Sequence, residues 1–106
     1  MASEIIVYCT VPNKEIALSI SKTVVEEKLA ACSNIIPGLV SVYSWQNEIC
    51  QDDELLLVIK TANEIFQKLH DRIIDLHPYD VPEIIGMPIE MGSKPYLDWI
   101  HENVSE

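Results

Sequence analysis

A chain of 106 residues with 48% hydrophobic content and a formal net charge of −10 is expected to form one domain, spanning residues 1–106, with a buried core beneath a strongly acidic exterior. Its 7 Lys and Arg are scattered among 17 Asp and Glu with no basic cluster, which excludes nucleic acid and anionic membranes as natural partners. So small a sphere struggles to hide that much apolar surface, and an oligomer is the expected remedy.

Glu4 to Thr10, EIIVYCT, is a short apolar, β-branched run expected to be a central strand covered on both faces. Asn13 is placed to cap a helix whose apolar stripe runs through Ile16, Ala17, Ile20, Val24 and Ala31, with Leu18, Val25 and Leu29 alongside. That helix is expected to stop near Cys32, where Ser33 and Asn34 offer the backbone rival hydrogen bonds and Ile35 and Ile36 favour extended geometry. A long strand then runs to Trp45, with a bend or bulge at Pro37 and Gly38. Gln46, Asn47 and Glu48 form a turn, and Ile49 to Lys60 return as the second arm of a long hairpin. Thr61 and Glu64 have capping-box spacing for a second helix, with Phe66, Leu69, Ile73 and Leu76 on its apolar face and Pro78 as its stop. Glu83 to Ile89 is expected to be a fourth strand at a sheet edge because Pro88 breaks it, and Ser93 caps a last helix with Tyr96, Leu97 and Ile100 inward.

The order βαββαβ plus a terminal helix describes a ferredoxin-like α+β sandwich, its antiparallel sheet covered on one face by two helices. The other face is left open, which again points to association. Cys9, Cys32 and Cys50 are odd in number and widely spaced, which argues against a disulfide framework, a zinc ribbon or an iron–sulfur cluster. They read as reduced thiols. The start at Met1 to Ser3 lacks a basic, apolar leader, so a soluble cytoplasmic protein is expected.

Four blocks carry a specific resemblance: LAACSNIIPGLVSVYSW at Leu29 to Trp45, ELLLVIKT at Glu54 to Thr61, HPYDVPEII at His77 to Ile85 and YLDWI at Tyr96 to Ile100. Their order and gaps resemble the divalent-cation tolerance protein family, CutA. The resemblance implies a ferredoxin-like homotrimer, similar in architecture to the PII-type signalling proteins and linked to copper and other divalent metals. It also implies a metal site at Cys9, His77 and Glu83, which match family positions proposed for Cu(II) or another divalent transition metal. Two departures stand out: Asn47 sits where the family's hairpin carries Gly, and Leu76 where some bacterial members place a second His.

The same residues have plainer readings. Cys9 reads as a small buried hydrophobe, His77 as the partner of a helix-end carbonyl and Glu83 as a capping or pairing group in the turn. His70 and His101 read as solvated, Cys32 and Cys50 as packing residues, and the acidic run Glu48, Asp52, Asp53 and Glu54 as a solvated face. Tyr43, Trp45, Tyr79, Tyr96 and Trp99 read as anchors of a subunit interface or as the walls of a pocket.

Three functions compete. A non-catalytic divalent-cation binding and tolerance trimer comes first, and a PII-like trimer holding a small metabolite comes second, though the chain offers no Gly-rich basic loop for phosphates. An acylphosphatase-like enzyme is rejected, because the one arginine, Arg72, lies on the second helix, away from the first strand where phosphate charge would be received.

Overall fold

In the computed structural model, which describes residues 3–105, the first apolar run becomes strand β1 (Glu4–Val11) with strict alternation. Ile5, Val7, Cys9 and Val11 are buried while Glu4, Ile6, Tyr8 and Thr10 are half-buried, so only one of the two faces expected to be covered is fully packed. Met1 and Ala2, on which the reading of the chain's start rested, lie outside the described residues.

Helix α1 (Lys14–Glu26) starts as expected, with Asn13 Oδ1 accepting from the Ile16 N–H at 2.8 Å. Its end corrects the sequence reading. The helix stops at Glu26, well before Cys32, because Lys28 takes φ 61° and the Leu29 and Ala30 N–H groups fold back to the Val24 carbonyl at 2.9 and 3.1 Å. Leu29, Ala30 and Ala31 are good helix formers, yet burial between α1 and the sheet outweighs a few tenths of a kcal/mol of propensity. Ala31 N–H already bonds the Lys60 carbonyl at 2.8 Å, which starts the strand ladder.

Strands β2 (Cys32–Trp45) and β3 (Glu48–Ala62) form the long hairpin, and its register shifts between Ile36 and Leu39, placing a bulge at Pro37 and Gly38. At the tip Gln46 and Asn47 both have positive φ, 50° and 66°, the geometry of a two-residue hairpin turn whose twist matches the strands. A 3-10 turn (Asn63–Ile65) leads into α2 (Phe66–Leu76). The expected capping box is absent. Thr61 lies inside β3, and its hydroxyl donates instead to the buried Leu29 carbonyl at 2.7 Å. His77 leaves the helix in extended geometry, as a residue before proline must. β4 (Ile85–Pro88) is shorter than the expected Glu83 to Ile89, and α3 (Lys94–Glu102) closes the chain.

The four strands pair antiparallel in the order β2-β3-β1-β4, which puts β4 at an edge as Pro88 required. Helices α1 and α2 cover one face through Ile20, Val24, Leu69 and Ile73, which meet Val7, Cys9, Leu57 and Ile59. On the other face Ile36, Ile85 and Met87 remain exposed. The distal hairpin projects past the helices, exposing Val40, Val42 and Ile49 on one side and Tyr43 and Trp45 on the other. This projection makes the molecule 44 × 25 × 22 Å, with a radius of gyration of 14.2 Å, against about 13 Å for a compact chain of this length.

Candidate functional site

The three sequence-derived ligand candidates gather around the C-terminal end of β1. Cys9 projects into the core, Thr10 follows it, and the segment from His77 to Ile84, which joins α2 to β4, packs over that end. His77 is buried and uses both ring nitrogens: Nε2–H donates to the Thr10 carbonyl at 2.8 Å, and Nδ1 accepts the Tyr79 N–H at 3.2 Å. Its carbonyl partner therefore belongs to a strand, where the plainer sequence reading had placed it at a helix end. The Tyr79 ring lies 4.6 Å from the His77 ring and its hydroxyl donates to Glu54 Oε2 at 2.6 Å.

Cys9 is fully buried, with its thiol directed at the same Thr10 carbonyl at 3.8 Å. Burial first, then the negative charges of Glu83 and Glu54, push its pKa up to about 12. At neutral pH the group is a thiol, whereas a metal needs the thiolate. Glu83 is exposed on the loop above. Among the described residues no group of three or more His, Cys, Asp and Glu side chains is arranged to hold a metal ion. With His77 committed at both nitrogens and Cys9 protonated, this donor set does not fit a divalent metal as it stands.

What the arrangement does form is a cleft of about 660 Å³ along the distal half of the hairpin, between β2, β3, the end of β1 and the loop above. Tyr43, Trp45 and Tyr79 supply aromatic wall, and Glu54, Asp80 and Glu83 supply carboxylates. None of the residues lining it is Lys, Arg or His. Glu54 corrects the reading of the acidic run as a uniformly solvated face: it is buried, while Glu48, Asp52 and Asp53 are exposed. Its position opposite Leu39, directly before the apolar run Leu55 to Ile59, was the available signal. The link from Glu54 through Tyr79 to His77 could not be found from sequence, since it joins strand β3 to the distant loop between α2 and β4. Tyr96 and Trp99 stack on each other at 5.5 Å on α3, and Cys32 lies 3.8 Å from the Tyr96 hydroxyl. His70 and His101 sit beside acidic neighbours, Asp71 at 3.0 Å for the first and Glu4 at 3.7 Å for the second.

Comparison with known proteins extends the likeness to the whole domain. The family model described as CutA1 divalent ion tolerance protein matches residues 5–103. The chain belongs to the CutA1 family. It is 54% identical over 100 residues to the divalent-cation tolerance protein CutA of Thermus thermophilus, covering 94% of this chain and 97% of that protein. The solved structure of the Cut A1 protein from Thermus thermophilus superposes with a TM-score of 0.94 at 53% identity, covering 96% of this chain and 99% of that one. CutA1 from Oryza sativa gives 0.95 at 43% identity, covering 99% and 96%. The chain spans about half the length of the CutA relatives from Arabidopsis thaliana and Mus musculus, 53% and 54%. The CutA family is named for ion tolerance, which is not an enzymatic activity.

Proposed function

We propose that the chain acts in divalent-cation tolerance as a non-catalytic homotrimer of the cytoplasm that binds copper or another divalent transition metal. Family membership over residues 5–103 carries this reading. An acidic chain offers cations a favourable field, and the carboxylates of the cleft concentrate it. The three cysteines are unbonded, in keeping with a reducing compartment. The same acidity disfavours nucleic acid and anionic membranes as partners, and no helix of the described residues is long and apolar enough to cross a membrane.

Association is supported by two surfaces left bare in the isolated chain, the open sheet face and the distal hairpin. The β2 edge is long and unpaired, and ladder bonds continued from one subunit to the next would close a ring and remove that edge. Sedimentation should show a trimer and no monomer at micromolar concentration, and Trp45→Ala should weaken assembly by about 2 kcal/mol if the indole is a buried anchor. A monomeric wild-type protein would refute the assembly.

Cys9, His77 and Glu83 are the first place to look for the metal, and binding there requires His77 to give up a hydrogen bond and Cys9 a proton. Affinity should therefore be modest and rise with pH. Calorimetry with Cu(II) and Zn(II) on untagged protein tests this, with Glu83→Gln as the least disruptive variant. Unchanged binding in that variant and in Cys9→Ser would remove this site from the proposal. A PII-like trimer holding a small metabolite is the second reading, favoured by the volume of the cleft.

A further inference from the structure

We draw no further inference here: the strongest candidate, the exposed apolar patch of Val40, Val42 and Ile49 on one side of the distal hairpin, belongs to the surface that the proposed homotrimer covers, and nothing in the structure shows which segment of a neighbouring copy or other partner seats on it.

Discussion

His77→Phe separates a structural histidine from a metal-binding one. Phenylalanine keeps a planar ring close to Tyr79 but removes the donor to the Thr10 carbonyl and the acceptor for the Tyr79 N–H. The two orphaned groups are not equal. Tyr79 is 37% exposed and its N–H can turn to water, while the half-buried Thr10 carbonyl loses its imidazole donor and the Cys9 thiol contact at 3.8 Å is a weak substitute. An unsatisfied buried group costs about 1 to 3 kcal/mol, so a loss near 2 kcal/mol is expected. With an unfolding entropy of about 2.1 cal/mol/K per residue, that corresponds to about 9 °C in Tm for a chain of this size. Urea and thermal unfolding should be compared at one fixed protomer concentration, because oligomer stability depends on it. A loss under about 0.5 kcal/mol would refute the structural role. Lost Cu(II) binding with stability unchanged would instead assign His77 to a metal, because the Thr10 carbonyl would then not have depended on it.

Three further outcomes follow from particular contacts. Asn47→Gly should be neutral or slightly stabilising and Gln46→Gly stabilising by up to about 1 kcal/mol, since both positions hold positive φ and Gln tolerates it less well; a marked loss in denaturant midpoint would show side-chain bonds at the tip. Thr61→Val should cost about 1 to 2 kcal/mol by leaving the buried Leu29 carbonyl without its donor, and a neutral result would place water or a rearranged loop there. The Cys9 thiol, raised from an ordinary value of 9.0 to about 12, favours folding while it is protonated, so that stability is fully present below about 9 and is lost as pH rises through about 12. Cys9→Ala should flatten that alkaline loss, and iodoacetamide at pH 8 should spare Cys9 in the native protein; rapid labelling there would show the end of β1 opening readily.

Local sequence determined most of the elements of this protein. The β-branched run EIIVYCT as a strand, the Asn13 cap, the Pro37–Gly38 bulge, the left-handed Asn47 and the Pro78 stop are each set by a residue and its neighbours, and each is realised in the fold, whereas the one-sided burial of that strand was decided by packing. The four blocks that resemble CutA were likewise readable in the sequence, because their order along the chain carries the likeness. Tertiary packing decided the rest. The end of α1 moved from Cys32 back to Glu26 because burying Leu29 to Ala31 gains more than extending the helix would. Thr61 left its expected cap for the Leu29 carbonyl, a residue 32 positions away. Glu54, one acid among several in the sequence, became the buried one because the middle of the hairpin lies beneath Tyr79. In the same way His77 spends both nitrogens on Thr10 and Tyr79, bonds that need a strand and a loop to converge. Composition and spacing name the groups available for chemistry, but whether a histidine is free to take a metal depends on which long-range partner it has already satisfied.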